Sequence, residues 1–163
     1  MTLKKLVFLL FLMCFMSTLH AQSHNYELGA RVNSLISAGP TQLSLSLRGS
    51  METGDVELIL SPFQDRIFLT GLVTVNHDDV WVGNSAGSRK FAVYTGLGAH
   101  AGLANGEGLG VLLGIDGILG VEYKILNSPF KISTDIKPTY DLFTPDSNRF
   151  NLWNTSITLR YLF

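Results

Sequence analysis

His100 is the residue best suited to acid–base chemistry, because a histidine changes charge closest to neutral pH. It stands between Gly98 and Gly102 in a run of small residues. To activate a nucleophile it would need a hydroxyl or thiol within hydrogen-bond reach and an acid to orient it. No His-x-Ser arrangement occurs in the chain. The setting points to a histidine that hydrogen-bonds inside the fold, and no catalytic residue is assigned. His77-Asp78-Asp79 offers ligand types for a divalent cation. Adjacent residues of an extended chain point in opposite directions and no fourth ligand is evident, so no metal site is assigned. Gly96-x-Gly98 and Gly106-x-Gly108-x-Gly110 lack the strand-to-helix setting of a phosphate loop. No cofactor is expected.

The remaining chemistry is charge. Glu27, Arg31, Arg48, Glu57, Asp116, Glu122, Lys124, Lys131, Asp135, Lys137, Asp141 and Arg160 alternate with apolar residues along extended segments. A strand alternates its side chains with period two, so these twelve share one face, on which acids and bases balance. The segments that must position them are eight: 27–35, 41–48, 55–62, 66–76, 91–103, 111–125, 130–143 and 151–163. Gly, Pro, Asn, Asp and Ser clusters separate them. The last segment is the clearest. Trp153, Thr155, Ile157, Leu159, Tyr161 and Phe163 fall on one face, and Asn154, Ser156, Thr158 and Arg160 on the other.

The expected fold is all-β: an eight-stranded antiparallel up-and-down barrel, crossing a membrane with its apolar face outward. Two features set that direction. The charged face also carries Gly29, Ser44, Ser46, Gly96, Gly98, Gly102, Gly114 and Gly120, which a crowded lumen needs and a solvated face does not. Aromatic residues of the apolar face (Phe91, Tyr123, Phe130, Tyr140, Trp153) lie near strand ends, where an interfacial girdle belongs. Shifting register by one residue would turn the charges toward lipid, at roughly 2–4 kcal/mol for each midplane base. An eight-stranded barrel is just wide enough for side chains to fill it. Its charges must then pair with one another, giving a filled, charged lumen rather than a general pore.

The N-terminus reads as a secretory signal peptide, residues 1–21. Lys4 and Lys5 precede the apolar run Leu6 to Met16, and Ser17-Thr18-Leu19-His20-Ala21 forms the cleavage region. The run is too short for a spanning helix, which needs ~20 apolar residues. Cys14, the single cysteine, leaves with the signal. The domain 22–163 then has no disulfide and no thiolate chemistry. A net charge of −1 argues against a nucleic-acid partner.

Two blocks carry a family resemblance. One is Gly114-Ile115-Asp116-Gly117-Ile118-Leu119-Gly120-Val121-Glu122-Tyr123-Lys124, preceded by Gly98-Ala99-His100. The other is Ser133-Thr134-Asp135-Ile136-Lys137-Pro138. From about residue 27 to 163 the chain resembles a family of small outer-membrane barrel proteins of Gram-negative bacteria. The architecture is similar to the OmpA-type transmembrane domain, with shorter outward loops. The resemblance implies location and fold and brings no catalytic residues.

The expected role is structural or interaction-based in the outer membrane, and non-enzymatic. The expected partners are outer-membrane lipid and the barrel assembly machinery, which would read Tyr161 and Phe163 as a C-terminal signal. No protein ligand is legible. Two alternatives stand: a lipid A-modifying enzyme of the acyl hydrolase or transferase class, and a secreted soluble barrel binding an apolar ligand. Periplasmic termini would place 36–40, 63–65, 104–110 and 144–150 outside the cell. Residues 77–90 form either a periplasmic loop or a bulged strand extension. Pro138, lacking an amide donor, is expected to sit at a bulge.

Overall fold

The computed structural model describes residues 26–33, 41–63, 66–77, 91–105, 109–125, 127–144 and 149–163. The expected signal peptide and residues 78–90, with most of the disputed loop, lie outside them. The strands are β1 (Tyr26–Asn33), β2 (Gln42–Met51), β3 (Gly54–Phe63), β4 (Arg66–His77) and β5 (Phe91–Asn105). They continue as β6 (Leu109–Lys124), β7 (Phe130–Ile136), β8 (Thr139–Phe143), β9 (Phe150–Asn151) and β10 (Thr155–Leu162). β7 with β8, and β9 with β10, each occupy one position in the wall, so the ten segments make eight staves. All neighbours are antiparallel. β10 returns to pair with β1, and β5 pairs with β6, which closes the ring. The fold is the expected eight-stranded antiparallel barrel.

Some boundaries differ from expectation for local reasons. The segments expected at 41–48 and 55–62 leave 49–54 as their connection, yet β2 and β3 stay paired until Met51 faces Gly54. Gly49 remains in the ladder opposite Tyr26, whose ring covers the space its side chain would occupy, at 3.4 Å. An aromatic neighbour compensates a strand glycine in this way. Gly54 itself has a φ of 152°, which L side chains rarely adopt. At the β6–β7 turn Asn127 takes a φ of 54°, a left-handed conformation that asparagine tolerates.

Pro138 corrects a second expectation. No bulge forms in its own strand on the β6 side, where Leu119 pairs with Ile136 and Asp116 with Thr139 in one unbroken register. The Pro138 carbonyl accepts from the Gly117 amide at 2.9 Å. Gly117 leaves room for the ring, since a Cβ there would lie 3.3 Å from it. The extra residue is in the opposite strand. Lys137 donates its amide to the Asn154 carbonyl, while Thr139 pairs with Asn151. The step from Lys137 to Thr139 is therefore matched by a longer step from Asn154 to Asn151. Leu152 and Trp153 are consequently both exposed, and the alternation read from the closing strand breaks there. A further register shift lies between Leu113 and Gly114, opposite Asp141 and Phe143.

The surface is inverted relative to a water-soluble barrel. Leu97 is 76% exposed, Leu43 63% and Val73 60%, while Arg48, Glu57 and Arg160 are 0% exposed. Packing inside is close enough that glycines are required. A Cβ on Gly120 would collide with the Tyr94 ring and lie 2.7 Å from the Asp135 side chain; one on Gly114 would strike His100. Overpacking of this kind costs about 1–3 kcal/mol. Gly120→Ala is accordingly expected to lower the unfolding free energy by ~1–3 kcal/mol, read from urea unfolding of the refolded protein in lipid vesicles. Unchanged stability would mean that Tyr94 can yield.

Candidate functional site in the barrel interior

Inward positions of the eight staves bring the charged residues together in layers. Nearest the chain termini, Lys131 Nζ donates to Glu27 Oε1 at 2.6 Å and to Glu122 Oε1 at 3.2 Å. Arg48 Nη1 donates to the other Glu122 oxygen at 2.8 Å, and Arg48 Nη2 to Glu57 Oε2 at 3.0 Å. Arg160 completes this layer, donating from Nη2 to Glu57 Oε1 at 2.8 Å and from Nη1 to Ser133 Oγ at 2.5 Å. The Arg48 guanidinium also lies over the Tyr94 ring, 5.0 Å from its centroid, in cation–π geometry. Three bases and three acids thus span the lumen from β1 and β10 to β6 as one connected chain.

At mid-height Arg31 grips both carboxylate oxygens of Asp135. Asp135 also accepts from Tyr94 Oη at 2.8 Å and Ser156 Oγ at 2.9 Å. A buried carboxylate is stable only when its lone pairs are filled in this way. On the other side of the lumen Ile59, Leu72, Tyr94 and Ile118 pack as a buried apolar cluster.

The end away from the termini is different. A cavity of about 560 Å³ is lined by charged side chains below (Arg31, His100, Lys137, Asp141) and by Phe68, Phe150, Leu152 and Trp153 elsewhere. His100 presents Nδ1 to Asp116 Oδ1 at 3.0 Å and Nε2 to Asp141 Oδ1 at 2.8 Å. Both ring nitrogens therefore face carboxylates, and the hydroxyl partner of an acyl-transfer dyad does not occupy either position. Among the described residues, the lumen expected to be filled is filled toward the termini and leaves this cavity toward the other end.

Of the twelve charges expected inside, Lys124 departs. It ends β6 opposite Lys131 and is exposed. Two like charges side by side at the rim favour the outer one turning to solvent. Glu27, Arg31, Arg48, Glu57, Asp116, Glu122, Lys131, Asp135, Lys137, Asp141 and Arg160 are inward, buried or half-buried. Asp55 joins them, 3.8 Å from Arg48 and accepting from Asn76 Nδ2 at 3.0 Å. Its signal was present, since it shares parity with Glu57. Ser133, Ser156 and Asn33 complete the polar network without any charge to draw attention to them.

The aromatic residues form two groups. Phe91 lies tilted against Tyr123 (centroids 4.7 Å apart), and Phe130 meets Tyr161 edge-on at 5.4 Å. Tyr161 and Tyr26 flank Phe163 at 6.4 and 6.2 Å. This group rings the end that carries the termini. Tyr140 and Trp153 are exposed at the other end with Phe143 and Phe150.

This arrangement is that of a closed, small antiparallel barrel with an ionic interior. Among solved structures it is similar to the crystal structure of the N-terminal β-barrel domain of Pseudomonas aeruginosa OprF. The TM-score is 0.62 at 12% identity, over 87% of this chain and 100% of that one. The likeness establishes the fold. No family model and no curated protein sequence matches the chain.

The ionic layer yields a prediction. Arg160→Ala leaves Glu57 with Arg48 alone, and breaking a buried pair costs about 3–5 kcal/mol. The variant should unfold at correspondingly lower urea. Because the chain from Arg48 through Glu122 to Lys131 still crosses the lumen, it should open no channel. Large, steady conductance of wild type or variant in planar bilayers would contradict a closed interior.

Proposed function

We propose that this chain is a small outer-membrane β-barrel protein with a structural or interaction role, neither a general pore nor an enzyme. The observation that carries the reading is the inversion of its surfaces: leucine, isoleucine and valine outward, ion pairs inward, aromatics at both rims. Only helices and closed barrels satisfy their backbone in lipid, and this chain closes its ring. The aromatic groups at the two ends match interfacial girdles. The OprF β-barrel domain shares the closed-barrel fold that this reading requires. Residues 1–21 would direct export and be removed. The termini would face the periplasm, so that the hollow end of the lumen faces outward.

The ion-pair chain supports a closed interior, and the occupied nitrogens of His100 speak against a lipid A acyl hydrolase or transferase. The outward leucines speak against a secreted barrel with an apolar interior. Cell fractionation combined with gel electrophoresis tests the reading. The protein should be found with the outer membrane and migrate faster unheated than boiled. Recovery in the soluble periplasm, with no mobility difference, would sink it.

Phe163 is the proposed assembly signal together with Tyr161. Its amide donates to the Tyr26 carbonyl at 3.0 Å, so it also fastens the closing seam. Deleting Phe163 should reduce the heat-modifiable, membrane-inserted fraction several-fold in cells. Refolding of the purified variant into vesicles should be affected less than assembly in cells. Equal assembly of variant and wild type would overturn this assignment.

A further inference from the structure

We propose that the cavity at the hollow end of the barrel is a binding site for a neutral polyhydroxylated ligand, a mono- or disaccharide. Its volume of about 560 Å³ falls within the ~300–1,000 Å³ of small-molecule sites. The lining decides the chemistry.

Lys137 is the underused group. It is 9% exposed, and its ammonium carries three donors. Its nearest partners are Thr70 Oγ1 at 3.4 Å and Asp116 Oδ2 at 3.8 Å, both beyond a full hydrogen bond. Asp116 Oδ2 has no hydrogen-bond partner. By contrast, Arg31, Arg48, Lys131 and Arg160 each reach a carboxylate at full hydrogen-bonding distance. Buried polar groups left short of partners are costly and call for a further partner, such as water or a ligand.

The charge balance excludes an anion as the ligand. Arg31 is committed to Asp135, Lys137 lies beside Asp116, and His100 sits between Asp116 and Asp141. Each of these three cavity bases therefore has an acid close by. The cavity instead offers mixed donors and acceptors in close alternation. Hydroxyl groups, which donate and accept at once, suit such a surface. Trp153 and Phe68 add flat apolar faces to the lining, against which the C–H face of a sugar ring can pack. A simple apolar ligand would strand the charged floor, and the described residues include no group of three or more His, Cys, Asp or Glu able to hold a metal ion.

The full-length mature protein, refolded in a detergent without a sugar headgroup, is titrated calorimetrically with glucose, galactose, maltose and lactose. Inorganic phosphate, tetramethylammonium and hexanoate are titrated in parallel. Heat-modifiable migration shows that each sample is folded, which keeps this test separate from the membrane reading. Saturable binding of at least one sugar is expected, in the millimolar range or tighter. Lys137→Met should weaken it at least tenfold, and Trp153→Ala, a rim change that leaves the interior intact, should weaken it several-fold. Leu97→Ala on the outer surface should leave it unchanged. The proposal is overturned if no sugar binds, if only phosphate, tetramethylammonium or hexanoate binds, or if sugar binding persists undiminished in both folded cavity variants.

Discussion

Glu57 receives Arg48 on one carboxylate oxygen and Arg160 on the other, with all three side chains shut away from solvent. The rest of the barrel depends on this contact. A carboxylate or guanidinium loses several kcal/mol on leaving water and recovers it only with good geometry and filled lone pairs. The three residues come from β2, β3 and β10, so the contact can form only when the sheet has curled and closed. Hydrogen bonds between adjacent strands cannot distinguish one register from another. The requirement that Glu57 meet both arginines can, because a slip of one residue would send all three to the outer face. Replacing buried ion pairs by apolar residues of the same volume often costs no stability, yet an all-apolar interior would not tell the two faces of the wall apart.

The period-two pattern made the fold and the inward set legible, because it depends only on which side of a strand a residue takes. Arg31, Arg48, Glu57, Asp135 and Arg160 are inside for that reason. Partners were not legible, since the Arg48–Glu122 contact joins residues on opposite sides of the ring and no local pattern encodes it. Parity also fails wherever the strand gains a residue. Leu152 and Trp153 are both exposed because of the extra residue opposite Pro138, and Thr155, outward by counting, is buried. The cavity was not legible either. It arises because small residues and the polar ends of Asn33, Ser61 and Thr70 face it where longer side chains fill the other half.

The two ends of the barrel are built for different tasks. Toward the termini the long side chains of Arg48, Lys131, Glu27, Glu57, Glu122 and Arg160 reach across the lumen and meet, and the wall outside them carries the stacked aromatics around Phe163. Toward the other end the acids are aspartates, Asp116 and Asp141, whose short side chains hold His100 near the wall and leave the axis empty. Among the described residues, the short Asp116 and Asp141 thus border a vestibule, while Glu27, Glu57 and Glu122 reach far enough to help close a plug.

The exchange of Lys124 for Asp55 also bears on where charge can reside. Among the described residues, inward acids are Glu27, Asp55, Glu57, Asp116, Glu122, Asp135 and Asp141; inward bases are Arg31, Arg48, Arg66, Lys131, Lys137 and Arg160, with His100 between Asp116 and Asp141. The two sets are close to balance, as a sealed interior requires. The least enclosed of these acids is Asp141, whose side chain is 26% exposed at the mouth of the cavity. Asp55 lies near the opposite rim with Asn76 as its donor. Both rim aspartates keep a base within reach, His100 at 2.8 Å for Asp141 and Arg48 at 3.8 Å for Asp55, while solvent or Asn76 completes their shells. His100, set between two aspartates, lies where that balance gives way to the open cavity.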